Sequence, residues 1–276
     1  MYSIAFSVIL KYFSYQRVTV SYTVIIAAHN EEKYIGNALK TVFAQTMPPE
    51  EVIVVLDRCT DKTGEIARKF PVTIIEKNEK KWVFSYAENL EIARKKVKTP
   101  FFAIVDADVE LEPTYFEVLL SNINETIGCI SGKVLTKSNT VLGKLLSLWE
   151  KTYKISFNRR PRGCALLVRN ELLEKIGGIK DVPAPDTYIQ DEIMKMGYKV
   201  EIVENVKAYH VREISLKRAL KTQFNSGIAR YIMGKSLLKT LGHSIVRLRP
   251  LVFAGYIYAM FSKEKQELKR KVKGAL

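Results

Sequence analysis

The sequence predicts an α/β protein with a mostly parallel sheet, helices on both faces of that sheet, and a basic helical C-terminal extension. Over the first 206 residues, short apolar runs alternate with segments of helical periodicity, which is the pattern of a parallel sheet with crossover helices. The net charge separates two parts of the chain. Of the +15 carried by all 276 residues, +13 falls in residues 207–276. We therefore expect a nearly neutral body at 1–212 and a basic extension at 213–276.

The N-terminal half of the body is predicted to contain four strands with helices between them. Each strand is a short run of apolar and β-branched residues, typical of strands buried on both faces: 18–28, 52–56, 72–75 and 101–105. Asn30 is expected to cap a helix that runs to Phe43. Thr60 or Asp61 is expected to cap a short helix to Lys69, and a further helix is predicted over 83–96.

The second half of the body has a less regular pattern. Strands are predicted at 129–134 and 164–168, with a helix at 141–157 between them. Asn170 is expected to cap a helix that ends at Gly177-Gly178. In the extension, apolar residues at spacings of three and four predict one amphipathic basic helix, or two helices broken near Gly234.

The composition excludes several classes of protein. With 47% hydrophobic and 26% charged residues, the chain is not generally disordered. No apolar run approaches the ~18–20 residues of a membrane-spanning helix. The first 13 residues lack a basic start and a small-residue cleavage site, so no signal peptide is expected. The three cysteines (Cys59, Cys129 and Cys164) are far apart and are expected to be structural.

Polar side chains stand where three predicted strands end. These residues are His29, Asp57 and Asp106. A single acid at a strand end is more commonly a turn residue or a helix cap. Because the carboxyl ends of parallel strands meet at one edge of the sheet, where ligands bind, the three together indicate a binding site.

An Asp-x-Asp motif follows the apolar strand at 101–105. Its carboxylates, Asp106 and Asp108, are expected at the edge of the sheet. Hard divalent cations such as Mg²⁺ and Mn²⁺ prefer oxygen ligands and share them readily with a diphosphate. The motif therefore predicts a metal site next to a phosphate-bearing ligand.

Five segments, taken in order, resemble glycosyltransferase family 2, whose members have the GT-A fold. The segments are 25–31, 54–63, 106–108, 163–178 and 185–198. The family usually has Pro and Tyr at the positions of Ala27 and His29, and Glu at the position of Pro185. The resemblance implies that the body is a GT-A catalytic domain with a nucleotide-binding sheet.

The resemblance also implies ligands and roles for individual residues. The donor would be a nucleotide-diphosphate sugar, with Asp57 accepting a hydrogen bond from a uracil or guanine base. The residues implied to bind this donor are Ala27, His29, Glu31, Asp57, Lys81 and Asp106. A Mn²⁺ or Mg²⁺ ion would be held by Asp106 and Asp108, with His210 as a further candidate ligand. Lys81 and His210 are equally well explained as a solvated lysine and an ordinary histidine.

Asp186 is the residue implied as the general base. It would deprotonate the acceptor hydroxyl in a single displacement that inverts the anomeric carbon. Asp191 and Glu192 form a nearby acidic pair that is a rival for this role.

The basic extension favours an anionic partner. Its apolar and aromatic residues beside lysines favour a membrane surface over nucleic acid, although solvated lysines on a helix packed against the body would give the same pattern. We therefore expect a cytoplasmic protein held at the cytoplasmic face of the membrane, acting on a glycan or lipid-linked acceptor. The alternatives are a sugar nucleotidyltransferase, or a non-enzymatic binder of membranes or nucleic acid.

Overall fold

The computed structural model of the chain describes residues 21–137, 144, 160–213 and 215–275. The strands are β1 (Tyr22–Ala28), β2 (Glu51–Asp57), β3 (Thr73–Lys77), β4 (Phe101–Val105), β5 (Val109–Leu111), β6 (Ile127–Thr136), β7 (Ala165–Arg169) and β8 (Lys199–His210). The helices of the body are α1 (Ile35–Phe43), α2 (Thr63–Ala67), α3 (Ser85–Arg94), α4 (Tyr115–Asn122), α5 (Asn170–Lys175) and α6 (Pro185–Lys195). Those of the extension are α7 (Leu216–Ile232), α8 (Leu237–Val246), α9 (Pro250–Phe261) and α10 (Lys263–Ala275).

The eight strands form one sheet in the order β3-β2-β1-β4-β7-β6-β8-β5. The half from β3 to β4 is parallel throughout. β7 then enters antiparallel between β4 and β6, and β5 lies antiparallel to β8 at the far edge. The predicted α/β class with a mostly parallel sheet is confirmed, and the reversal at β7 is a tertiary feature that the local pattern does not predict.

Alternate residues of the strands point to two cores, one on each face of the sheet. On β1, Val24 and Ile26 pack with α1, α2 and α4, whereas Ile25 packs with α3, α5 and α6. The continuous apolar runs therefore follow from burial on both faces, as the sequence predicts.

The predicted elements recur with shifted ends. β4 has its predicted bounds, whereas β3 continues two residues past its predicted end, to Lys77. The predicted cap at Asn30 is wrong, because α1 begins only at Ile35. Asn30 instead adopts φ 56° and its side-chain oxygen accepts a hydrogen bond from the Thr60 N–H, which ties the β1 and β2 turns together. The helix predicted at 141–157 lies outside the described residues, apart from residue 144.

The extension packs on the body. Ile232 of α7 and Val272 of α10 are buried in the same core as Tyr188 and Ile189 of α6. The predicted break lies at Gly234, where φ is +69° and α7 gives way to α8. The proposed domain boundary at 212/213 falls in the connection between β8 and α7.

Two glycines let α7 and α9 cross closely. A Cβ at Gly227 would lie 2.0 Å from the Val252 carbonyl oxygen, and one at Gly255 would lie 2.0 Å from the Phe224 carbonyl oxygen. Among the described helices, including those of the extension, none combines the length and the apolar character needed to cross a bilayer.

Candidate active site

A cavity of about 430 Å³ opens at the carboxyl ends of β1, β2 and β4. Most of the predicted site residues line it, contributed by four different strands or the turns that follow them: Ala27, His29, Glu31, Asp57, Asp106, Asp108 and His210. Ser85, Tyr86 and Asn89 of α3 form another side of the cavity. The convergence expected from the strand ends is therefore present in the structure.

Asp57 lies at the bottom of a dense hydrogen-bond network. One carboxylate oxygen accepts from Arg58 Nε at 2.7 Å, and the other accepts from Ser85 Oγ at 2.6 Å and from Asn89 Nδ2 at 3.0 Å. Burial alone would raise the pKa of Asp57, but these hydrogen bonds and the charge of Lys77 outweigh it and hold the pKa well below its usual range. Asp57 is therefore a fixed, ionised acceptor.

Lys77 is the buried cation behind this network. Its Nζ lies 2.7 Å from Glu88 Oε2, 2.8 Å from Asn89 Oδ1 and 3.5 Å from Asp57 Oδ1, and its side chain is only 5% exposed. One lysine therefore contacts two buried carboxylates, and Arg58 brings a second positive charge to Asp57. Lys77 also fixes the end of β3 against α3.

His29 and Glu31 are positioned by neighbours from other parts of the chain. The His29 ring contacts the backbone carbonyl of Asp57 through Nδ1 at 2.6 Å, which orients it at the mouth of the cavity. Glu31 accepts two hydrogen bonds of 2.5 Å from Arg212 Nη2. Both side chains are thus held in place before any ligand binds.

Arg212 also reaches the Asp-x-Asp motif. Its Nε donates to Asp108 Oδ2 at 2.5 Å, and its guanidinium lies over the Tyr34 ring at 4.8 Å from the centroid. Burial would raise the pKa of Asp108, but His210 and Arg212 outweigh it and keep this carboxylate ionised. Arg212 therefore bridges Glu31 and Asp108.

Asp106 lies in a different environment from Asp108. Tyr86 donates its hydroxyl hydrogen to Asp106 Oδ1 at 2.7 Å. Burial raises the pKa of Asp106, and the nearby carboxylates of Asp108 and Asp186 act in the same direction. A cation bound here would offset this repulsion and favour the ionised form of Asp106, which is the form that binds a metal.

His210 reaches the motif because β5 pairs with β8, which places Val109 opposite His210. Its Nδ1 lies 3.5 Å from Asp108 Oδ1. Burial opposes protonation of the ring, but Cys164 and Asp108 outweigh it, so the pKa of His210 is raised.

Three side chains beside the Asp-x-Asp motif form a candidate ligand set for a metal. Within the described part of the chain, one oxygen of Asp106, the sulfur of Cys164 and one ring nitrogen of His210 all lie within 4.8 Å of one another. Oxygen, sulfur and nitrogen are all ligands of divalent cations, so the residues present fit a metal.

Asp186 lies in the first turn of α6 and is not one of the residues that line the cavity, although its charge acts on that of Asp106. Burial raises the pKa of Asp186, and the nearby backbone N–H groups of Thr187 and Gly163 oppose this effect without outweighing it. A Cβ at Gly163 would lie 2.3 Å from the Cβ of Asp186, so only glycine permits this approach. A carboxylate with a raised pKa is suited to accept a proton.

The rival acids on α6 are engaged in ion pairs. Asp191 receives Arg160 Nη1 at 2.6 Å and Lys235 Nζ at 2.5 Å, so it fastens the extension to the body. Glu192 pairs with Lys195 at 2.6 Å. The side chain of Lys81 is exposed and outside the cavity, and its backbone N–H donates to Glu88 at 3.0 Å.

Three residues at the site are not indicated by the local sequence pattern: Lys77, Arg212 and Cys164. Lys77 stands at a strand end, as His29 and Asp57 do, and it would have been found had β3 been predicted at its full length. Arg212 and Cys164 carry no local signal, because only the pairing of β8 with β5 and of β7 with β4 brings them here. The expectation that Cys164 is merely structural does not account for its position beside His210.

The model of a protein family described as "Glycosyl transferase family 2" matches residues 23–168, a little over half of the chain. The chain belongs to this family. The resemblance seen in the sequence is thereby confirmed, and so is its assignment to a class of enzymes, the glycosyltransferases.

Two curated proteins are similar to this family 2 member over most of its length. "Probable glycosyltransferase YdaM" of Bacillus subtilis is 28% identical over 64% of this chain, which spans 47% of that protein's length. "Dolichyl-phosphate hexose transferase" of Haloferax volcanii is 24% identical over 82% of this chain and 96% of that protein. The family 2 chain thus spans about half of the first relative and nearly all of the second.

Solved structures confirm the GT-A fold. A mannosyltransferase from Pyrobaculum calidifontis, in complex with GDP-Man and Mn²⁺, is 19% identical with a TM-score of 0.58, covering 91% of this chain and 73% of that one. Staphylococcus aureus TarS 1–349, in complex with UDP-GlcNAc, is 15% identical with a TM-score of 0.53, covering 90% and 78%.

Proposed function

We propose that this protein moves a sugar from a nucleotide-diphosphate donor to an acceptor hydroxyl or phosphate by a metal-assisted, inverting displacement. The observation that carries the proposal is that the carboxylates expected to bind the donor lie near the carboxylate expected to act as the base. Asp57, Asp106 and Asp108 line one cavity, and Asp186 lies close enough to Asp106 for their charges to interact. A donor site and a base are therefore side by side.

The base of the donor is proposed to bind at Asp57. Asp57 is ionised and lines the cavity, and its carboxylate accepts hydrogen bonds from Arg58, Ser85 and Asn89. An N–H of uracil or guanine would replace the longest of these, the 3.3 Å bond from Arg58 Nη2. The UDP-GlcNAc and GDP-Man complexes of the structural neighbours support this donor class.

A divalent metal is proposed beside the donor diphosphate. Asp106, Asp108 and His210 are the residues that would hold it, and the Mn²⁺ in the mannosyltransferase complex supports this assignment. When bound, the metal would neutralise the charge that develops on the leaving nucleoside diphosphate.

Asp186 is proposed as the general base. It would take the proton of the acceptor hydroxyl as that oxygen attacks the anomeric carbon from the face opposite the diphosphate, so the configuration inverts. A positioned base contributes about 10²–10⁴-fold to such a reaction.

The acceptor is proposed to be lipid-linked, with the protein at the cytoplasmic face of an anionic membrane. The name of the Haloferax relative supports a lipid phosphate acceptor. The extension presents exposed apolar side chains on and beside α8 and α9, with exposures of 76% for Leu238, 64% for Ile245, 77% for Leu248 and 79% for Phe261. The net charge of +13 on residues 207–276 would add attraction to anionic lipids.

The first test measures donor binding and transfer separately. Thermal shifts with nucleoside diphosphates, with and without Mn²⁺, should show one nucleotide that stabilises the protein only with metal; saturation at ~100 times Kd adds about 2.7 kcal/mol. Asp108→Asn should abolish that shift. Asp186→Asn should keep it and lose sugar transfer, whereas Glu192→Gln on the same helix should keep both. Transfer at the wild-type rate by Asp186→Asn would reject the assignment of the base.

The membrane proposal has its own test. Sedimentation with phosphatidylglycerol vesicles should retain the wild type and release the double variant Leu238→Gln/Ile245→Gln. Val83→Gln removes an exposed apolar side chain from the body, at 44% exposure, and should bind as the wild type does. Equal binding by all three proteins would exclude α8 as the membrane-contacting surface.

A further inference from the structure

Cys164 occupies a position that the donor-site roles proposed above leave unexplained. It is only 8% exposed, and its sulfur lies within 4.8 Å of the ligand atoms of Asp106 and His210. Cys164 belongs to one of the two apolar cores, but unlike an inert core cysteine it also has an acid and an imidazole close to its sulfur.

The three side chains are held by different parts of one sheet. The backbone N–H of Asp106 donates to the carbonyl of Cys164 at 3.0 Å, so the end of β4 and the start of β7 are locked together. His210 is fixed by the pairing of β8 with β5, opposite Val109. A group built on paired strands is more rigid than one built on loops, and rigidity is what a selective metal site needs.

The separations are close to those of a coordination shell. Ligands bonded to one tetrahedral ion at ~2.0–2.3 Å lie about 3.5 Å apart. The atoms here lie within 4.8 Å of one another, so contraction by about one ångström, within reach of side-chain rotation, would close the site.

Asp108 is less free to take part than the sequence motif suggests. Arg212 donates to it at 2.5 Å, and the same guanidinium holds Glu31. A metal that used Asp108 would compete with this ion pair. At Cys164 the competing group is the His210 ring, which must itself lose a proton before it binds a metal. Cys164 is therefore a further candidate ligand beside Asp108.

We propose that Cys164 is an additional metal ligand of the donor site, beside Asp106, Asp108 and His210, and that its thiolate shifts the preference of the site toward Zn²⁺, Co²⁺ or Cd²⁺ over Mg²⁺. The inference rests on the donor site proposed above, because the diphosphate would complete the coordination. On binding, the Cys164 thiol and the protonated His210 ring each lose a proton to solvent, and the sulfur–metal and nitrogen–metal bonds form with no change of oxidation state. Thiolate is a soft ligand, and its presence shifts preference toward the softer cations.

Cobalt alone is the probe that reports the sulfur directly. Titration of the purified full chain with Co²⁺ should produce an intense near-ultraviolet band from thiolate-to-cobalt charge transfer. Cys164→Ser should lose the band and bind Co²⁺ and Cd²⁺ about tenfold or more weaker, while its Mn²⁺ affinity changes by less than about threefold. Cys59→Ser, which removes a half-buried thiol outside the cluster, should keep the band and the wild-type affinities.

Each other result overturns the ligand assignment. Cobalt binding without the band in the wild type would mean coordination by oxygen and nitrogen alone. An unchanged band in Cys164→Ser would place the sulfur elsewhere, and a wild type that binds no Co²⁺ would remove the centre altogether. The nucleotide thermal shift with Mn²⁺ is independent of these spectra, so a failure of this inference is distinguishable from a failure of the transferase proposal.

Discussion

Gly163 sets the position of the proposed base, and its replacement by alanine has a calculable effect. The added Cβ would lie 2.3 Å from Asp186 Cβ, 2.7 Å from its Cγ and 2.8 Å from its Oδ2. Ordinary contacts of this kind are about 3.5–4.0 Å, so the carboxyl group or the backbone at residue 163 must move by more than an ångström.

The expected loss follows from that displacement. A misplacement of about 1 Å in a catalytic group can cost about 10²-fold in rate, so kcat for sugar transfer should fall by about two orders of magnitude in Gly163→Ala. Overpacking should also lower the free energy of unfolding by about 1–3 kcal/mol. Nucleotide affinity should change little, because the residues that line the donor cavity are not those that clash.

Steady-state kinetics with the donor found by thermal shift, together with urea unfolding, would measure both effects. Gly242→Ala is the matched control: the same substitution in α8, where an added Cβ meets nothing within 4 Å. It should leave kcat unchanged and stabilise slightly, since alanine is the better helix former. A wild-type kcat in Gly163→Ala would refute the claim that Asp186 must lie against Gly163 in order to act.

Three further predictions rest on the charges of the site. Lys77→Met removes the buried cation beside Asp57 and Glu88 and should lower the free energy of unfolding by about 3–5 kcal/mol. The control Lys81→Met, at an exposed position, should change it by less than about 0.5 kcal/mol. Equal urea midpoints for the two variants would contradict this prediction. Asp57→Asn replaces one carboxylate oxygen with an amide nitrogen and should weaken nucleotide binding, measured by calorimetry, by about 1–3 kcal/mol. A nucleotide affinity equal to that of the wild type would contradict this prediction. Because burial raises the pKa of Asp186, the acidic limb of the pH profile of kcat should lie above the usual pKa of an aspartate, and activity should be lost as the pH falls through that limb. If the acidic limb of Asp186→Glu lies at the same pH as in the wild type, the limb belongs to another group.

Local sequence predicted the strands well because their burial is encoded locally. β4, a run of five apolar residues, was predicted with its observed bounds, and the convergence of His29, Asp57 and Asp106 followed from strand ends alone. The errors arose where a polar residue had a distant partner. Asn30 looked like a helix cap, but its side chain bonds Thr60 across the β1–β2 turns.

The sequence by itself determined the class of fold, the Asp-x-Asp edge and the family, because continuous apolar runs and short motifs are properties of neighbouring residues. The tertiary structure alone decided which distant side chains complete the site. β7 enters between β4 and β6, and β8 returns beside β5, so Cys164, His210 and Arg212 meet the motif. Strand order depends on how whole faces are buried and on chain connections, which no local period records.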